Sequence, residues 1–245
     1  MPNFCLILSY DGSRYNGWQR QGNTDNTIQA KLETVLGRIL DQPVEAQASG
    51  RTDAGVHARR QTVSFRAHTD LSCWEILTQL RRYLPEDIGA EELTEAPPRF
   101  HARLSCTRKT YVYRLWNSAA PCVFERKYVH RVEELLNEDA MRRAAAMLLG
   151  EHDFAPFSTG KTKKSTLRRL DAVGIERCGH ELRLSFTGNG FLYNMVRILV
   201  GTLLEVGAGR MQPEDIPGIF QSGARQYAGP TAPARGLCLW ETFYD

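Results

Sequence analysis

The sequence has no CxxC pair, no HxxxH or similar histidine spacing, and no apolar run long enough to span a bilayer. Its six cysteines (5, 73, 106, 122, 178 and 238) are scattered, and so are its six histidines. Paired thiolates or imidazoles are what a structural or catalytic metal needs, so no metal site is expected. A chain of 245 residues can bury a core without cross-links, so the cysteines are read as free thiols in a reducing compartment. The start, MPNFCLILSYDGS, lacks a basic n-region and a long apolar stretch, which argues against a signal peptide. The most apolar segment, Phe191–Val206, is too short for a membrane span and contains Arg197 and Glu205. A cytoplasmic protein is expected, with no membrane contact. The phosphate-cradling GxxxxGK[ST], a GxGxxG after a strand and GxSxG are also missing, so nucleotide-dependent and serine-hydrolase chemistries have no support.

What is present is segregated charge. The formal net charge is only +3, but Arg99 to Arg114 holds five Lys/Arg and no acid, and so does STGKTKKSTLRRL at 158–170. The acids collect at 86–95 and 133–139. A third basic cluster sits in SGRTDAGVHARRQTVSFRA, residues 49–67. Separated charge gives a basic face that suits a polyanion, nucleic acid above all. Candidate contacts are Arg51, Arg59, Arg60, Lys161, Lys163, Lys164 and Arg168. Any one cluster alone is better read as solvated surface; it is the three together that point to nucleic acid.

Periodicity orders the elements. Phe4–Tyr10 reads as a strand closed by Asp11-Gly12, and Ile28, Leu32, Val35, Leu36 and Ile39 keep helical spacing behind an Asn26–Gln29 capping pair. Val44–Ser49 and Gln61–Ala67 are strands, the second with Val63 and Phe65 inward. Ser72 with Glu75 caps a helix whose Trp74, Leu77, Leu80 and Leu84 share one side, and Ile88–Glu95 is a weaker strand. The first hundred residues thus read βαββαβ. In the second half Thr107–Trp116 alternates, Tyr128–Val132 is a short strand, and Asn137 caps a helix running through Leu149 to Gly150. Leu170–Cys178 and Glu181–Thr187 form a hairpin around Gly179-His180, followed by the apolar helix, a shorter helix after Pro213, and a last strand Gly236–Phe243. An α+β fold in two halves is expected, residues 1–105 and 106–245.

Three residues stand out chemically. Arg197 lies in the middle of a helix that is apolar on nearly every face. A buried guanidinium needs a partner, since breaking such a pair costs roughly 3–5 kcal/mol, so an anion is expected beside it. A structural acid or an escape of the long side chain to water would serve equally. Asp53 is the lone acid among Arg51, His57, Arg59 and Arg60. If the strand reaches Thr52, Arg51 and Asp53 face the same side, and a cation there lowers a carboxylate pKa by about 1–3 units. Such a group is a poor general acid but a usable nucleophile or electrostatic stabiliser. The plain alternative is that Asp53-Ala54-Gly55 is only a turn. Tyr111 and Tyr113 alternate on a basic strand, either as core aromatics or as a surface for stacking a base, typically worth about 1–3 kcal/mol.

GRTDAGVHA at 50–58 resembles the signature of the TruA-type tRNA pseudouridine synthases. YDGSRYNGWQRQ, FHARLSCTRKTYVYRLW, GEHDFAPFS, GNGFLYNMVRILVG and TAPARGLCLW follow in the family's order, so the resemblance covers essentially the whole chain. It implies that uridine is detached at its N1–C1′ bond, turned within the site and rejoined through C5. Asp53 matches the catalytic aspartate. Arg51 matches an arginine that helps the target nucleotide leave its stem and fills the space. Tyr111 matches the tyrosine that stacks on the base and assists proton removal at C5. Arg197 matches the arginine paired with the catalytic carboxylate. The implied fold is two ferredoxin-like halves sharing one mixed, mainly antiparallel sheet flanked by helices, with the active-site cleft between them. The implied partners are tRNA and a second copy of the chain, with no metal or organic cofactor. The usual targets are uridines 38, 39 and 40 of the anticodon stem-loop.

Whether the carboxylate attacks ribose C1′ or uracil C6, or takes a ribose proton to give a glycal, stays open. Tyr193 and Asn194 stand where histidines are often seen in the family, and no role follows for them from the resemblance. Two other functions remain: an RNA-binding or chaperone protein without catalysis, and a synthase for another RNA position.

Overall fold

A computed structural model of the chain describes residues 1–160 and 165–244. Along the chain these form β1 (Asn3–Tyr10), α1 (Ile28–Leu40), β2 (Gln47–Ala48), β3 (His57–Arg66), α2 (Cys73–Tyr83), β4 (Ile88–Ala96) and β5 (Cys106–Asn117). There follow β6 (His130–Val132), α3 (Glu138–Ala146), β7 (Gly150–Asp153), β8 (Leu167–Cys178), β9 (Glu181–Gly188), α4 (Met195–Gly207), α5 (Ile216–Ser222) and β10 (Leu237–Tyr244). The class is α+β, as expected. Two compact units divide the chain, one of residues 1–107 with the segment from Cys238 onward, the other Arg108–Leu237. The C-terminal strand therefore leaves the second half, where the sequence reading placed it: β10 pairs in parallel with the start of β3, at His57 and Ala58.

In the first unit β1 lies between β4 and β3, antiparallel to both. β2 pairs antiparallel with β3 at Ser64 and Val63. The order β4-β1-β3-β2, with α1 and α2 as crossovers, is ferredoxin-like. Alternation drives it: Phe4, Leu6, Leu8 and Tyr10 are buried, and Phe4 stacks on its register partner Phe65 with centroids 5.1 Å apart. The cap of α1 is Thr27, which accepts from the Ala30 N–H, and not Asn26. Gln29 is instead a buried link, donating to the Glu33 carboxylate and the Ala46 carbonyl. The Ser72–Glu75 capping box of α2 forms. Trp74 does not join that helix's inner face, being 73% exposed while Ile76 and Leu80 fill the core.

The second unit is built on β5-β9-β8-β7, all antiparallel neighbours, with β6 parallel to the end of β5. The β8–β9 hairpin turns at Gly179, whose φ is +60°. Asn137 caps α3, which ends at Ala146; tighter i→i−3 bonds carry the chain through Leu149 to Gly150. The apolar helix α4 starts at Met195, four residues later than Phe191, because Asn194 takes a left-handed conformation with φ +60°. Its Met195, Val196, Ile198, Leu199, Val200 and Leu203 are buried. No helix among the described residues is long and apolar enough to cross a membrane.

Candidate active site

Asp53 lies in the loop between β2 and β3, two residues before Gly55, which takes φ +77°. That turn stops β3 at His57, so the strand does not reach back to Thr52, and strand alternation no longer argues for a shared face of Arg51 and Asp53. The loop is fixed by the segment YDGSRYNGW. Trp18 N donates to Thr52 O at 3.0 Å, Gly55 N to Tyr15 O at 3.4 Å, and Val56 N to Asp53 O at 3.1 Å. Gly12 N donates to Nδ1 of the buried His57 at 3.1 Å. Tyr10 Oη and Thr52 Oγ1 are 2.8 Å apart. Gln61 Nε2 donates to Gly50 O at 2.8 Å, and Ser49 Oγ to Gln61 Oε1 at 2.5 Å. Burial pushes the Tyr10 phenol well above its usual pKa, so this link stays protonated and neutral.

Two glycines make the contact possible. A Cβ on Gly12 would lie 2.0 Å from Val56 O, and one on Gly17 2.7 Å from Thr52 O and 3.1 Å from Asp53 C. Only a residue without a side chain lets the backbone come this near. The result is a half-buried Asp53 on a stiff backbone. Tyr10, Gly12, Gly17, Thr52 and Gln61 are site-building residues that periodicity does not single out; the signal available was the run of polar and glycine residues just after the first strand.

In the second unit Tyr111 sits on β5 with only 7% exposure, its ring edge-on to Phe191 at 5.1 Å. Tyr113, two residues on, is fully buried and donates to Pro233 O at 2.8 Å. Arg197 is half-buried on α4. Its Nε donates to Ala232 O at 2.7 Å and one terminal nitrogen to Asn194 Oδ1 at 2.9 Å. Ala232 N returns a bond to Arg197 O, and Thr202 Oγ1 accepts from Gly229 N. The helix is thus laid directly on the TAPAR segment, and a Cβ on Gly201 would come within 1.7 Å of Pro230 O. Asn194 also donates to Thr159 Oγ1 at 2.9 Å, so it links the end of the 158–160 segment to the arginine. That is a definite place for a residue to which the resemblance gave no role. Tyr193 is 58% exposed and its carbonyl accepts from Ser158 Oγ.

The candidate RNA contacts differ in how free they are. Arg51 and Arg59 are exposed, Arg59 lying over the Trp240 ring at 4.9 Å. Arg60 is held between Glu91 and Glu92 at 3.8 and 3.0 Å. Arg168 turns back onto the carbonyls of Ser165 and Leu167, and burial lowers its pKa. Lys161, Lys163 and Lys164 lie outside the described residues. Among the described residues no group of three or more His, Cys, Asp or Glu is placed to hold a metal ion.

The family model described as tRNA pseudouridine synthase matches residues 6–104 and 144–245. The chain is 45% identical over 240 residues to tRNA pseudouridine synthase A of Bacillus sp. (strain KSM-64), covering 98% of each protein. It is 43% identical over 248 residues to tRNA pseudouridine synthase A of Moorella thermoacetica, covering 100% of both. It is 41% identical over 240 residues to tRNA pseudouridine synthase A 2 of Bacillus cereus (strain ZK / E33L), again covering 98% of each. Matched along its full length by these relatives and over most of it by the family model, the chain belongs to the TruA-type tRNA pseudouridine synthase family and is an RNA pseudouridine synthase.

Proposed function

We propose that the protein isomerises uridine to pseudouridine in the anticodon stem-loop of tRNA, at positions 38, 39 and 40, with Asp53 as the catalytic carboxylate. Tyr111 and Arg197 are the further catalytic residues, and the active form is a homodimer. The observation that carries this reading is the fixed Asp53 loop. A carboxylate that must meet a reacting carbon gains from a backbone that does not wander, and fixed geometry of this kind is a large part of enzymatic rate. The clamp on both sides of Thr52–Val56 supplies it. A uridine in a stem must first be turned out of the stack, which costs a few kcal/mol. Contacts from Arg51 and other basic residues to phosphates offset that cost, so activity falls as salt rises.

The test is Asp53→Asn, assayed for pseudouridine formation and for tRNA binding. Turnover should drop by about 10³-fold or more while the Kd for tRNA stays near wild type. Turnover within tenfold of wild type would reject Asp53 as the catalytic group. A binding protein without catalysis would lose nothing in this variant. Mapping pseudouridines in tRNA from cells lacking the gene checks the positions, and light scattering checks the dimer.

A further inference from the structure

Beside the Asp53 loop, in the same unit, is a small polar pocket of about 40 Å³ lined by Trp18, Gln19, Gln47, Gly50, Arg51 and Arg103. It can take the oxygens of an anion. Both arginines are exposed, and among the described residues neither has a carboxylate partner, whereas Arg14, Arg20 and Arg60 of the same unit each do. Arg103 is presented on a stiff turn. His101 Nδ1 accepts from the backbone N–H of Arg103 and of Leu104, and Ser105 N donates to His101 O at 2.9 Å. The buried Ala102 is pinned at both ends: its N–H donates to Ser64 Oγ on β3, and its carbonyl accepts from Tyr244 Oη. A cation held this way, with its head in solvent and no acid to answer it, is poorly explained as packing.

We propose that Arg103 and Arg51 together hold one backbone phosphate of the RNA next to the target uridine. This rests on the reading that the Asp53 loop receives that uridine. Arg51 lies two residues before Asp53, and Arg103 reaches the same pocket from a turn fifty residues later in the chain. Planar guanidinium groups suit phosphate because each can give two parallel N–H donors. A phosphate fixed beside the flipped nucleotide sets which residue of the strand arrives at the carboxylate.

Arg103→Gln should weaken tRNA binding about 3- to 10-fold near 0.1 M salt and reduce the slope of log Kd against log salt, the reduction reaching about 0.7–0.9, the value of one phosphate contact, when Arg51→Gln is added. Arg103→Lys should restore most of the slope but not the full affinity. Arg38→Gln, on an exposed position of α1, removes the same charge elsewhere and should leave the slope unchanged. Because both arginines grip one phosphate, Arg51→Gln with Arg103→Gln should weaken binding less than the product of the single changes. A substrate hairpin with one neutral methylphosphonate beside the target should bind wild type more weakly than the unmodified hairpin, Arg103→Gln weaker by a smaller factor, and the double variant Arg51→Gln with Arg103→Gln no more weakly. An unchanged Kd and slope in Arg103→Gln, or fully multiplicative effects, would overturn the shared seat. Inorganic phosphate that protects wild type but not Arg103→Gln from melting, with tRNA affinity equal in both, would assign the pocket to a free anion and overturn the RNA role. An inactive Asp53→Asn with normal binding by Arg103→Gln refutes the phosphate seat alone. An active Asp53→Asn refutes the placement of the uridine, and with it the position of the phosphate beside that nucleotide.

Discussion

Replacing Gly17 with alanine puts a methyl group into the backbone that carries Asp53. Gly17 has φ +88°, and its Cβ would sit 2.7 Å from Thr52 O and 3.1 Å from Asp53 C. Two penalties follow. An L-residue held in the left-handed region loses roughly 1–2 kcal/mol. Forcing a methyl against backbone that cannot rotate away adds roughly 1–3 kcal/mol. The sum, about 2–5 kcal/mol, corresponds to a melting temperature lower by something on the order of 10 °C for a chain of this size. Relief of the contact moves Thr52 and Asp53 by some tenths of an ångström and strains the 3.0 Å bond from Trp18 N to Thr52 O. With Asp53 as the proposed reacting group, a displacement of that size should lower turnover by roughly 3- to 30-fold, since a 1 Å misplacement costs about 100-fold. Gly12→Ala separates the two penalties. Its φ is ordinary, but its Cβ would be 2.0 Å from Val56 O, so the loss is purely steric and at least as large. Gly22 has nothing within 4 Å of its Cβ, and Gly22→Ala should change neither stability nor rate. Differential scanning calorimetry and a pseudouridine assay at saturating tRNA read both quantities. Wild-type melting and wild-type turnover in Gly17→Ala would show that the 12–18 segment does not set the position of the aspartate loop.

Two further changes test the second unit. Arg114 and Arg183 are direct cross-strand partners on β5 and β9, and Glu181 keeps these like charges together with bonds of 2.8 Å to Arg114 and 2.6 Å to Arg183. Hydrogen bonds from Arg114 pull the Glu181 pKa down to about 2, so the stabilisation is complete above the unfolded value near 4.5 and is lost as pH falls from there towards 2. Discounted for the exposed side of the cluster, Glu181→Gln should cost about 1–2 kcal/mol at pH 7 in urea titrations, and the gap to wild type should close across that acid window; a gap that stays constant down to pH 3 refutes the assignment. Arg197→Ala removes the side-chain bond to Ala232 O and leaves Asn194 Oδ1 without its donor, so a loss of about 1–3 kcal/mol is expected together with reduced turnover. If Arg197 acts with Asp53, a cycle with Asp53→Asn will show strongly non-additive rates, and additive rates would separate the two residues.

What periodicity could reach was the element order. Phe4–Tyr10 alternates, α1 carries an apolar stripe, and Gly179-His180 breaks two alternating runs, so the βαββαβ order and the later hairpin followed directly from local pattern. Local pattern fails where a distant partner decides. β10 lies in parallel beside His57 and Ala58, about three quarters of the chain away in sequence, and nothing in Gly236–Phe243 announces that neighbour. Trp74 has the spacing of a core residue yet faces outward, because Ile76 and Leu80 already fill the space under α2.

The site shows the same limit in its chemistry. A cationic side chain in an apolar helix calls for an anion; what the sequence does not show is that an amide oxygen and a peptide carbonyl of its own unit orient Arg197. Such bonds use two of the guanidinium's five N–H donors and fix its direction, and they neither supply nor replace the anion. Those acceptors depend on backbone geometry the sequence hides. Asn194 can bond Arg197 because its own φ of +60° turns the chain just before α4, and Ala232 can because Gly201 lets the TAPAR backbone lie against the helix. The same dependence governs Asp53, whose position is set by the absent side chains of Gly12 and Gly17 as much as by any group that is present. A motif such as GRTDAGVHA singles out the candidate residue, and the glycines of a distant segment decide where it stands.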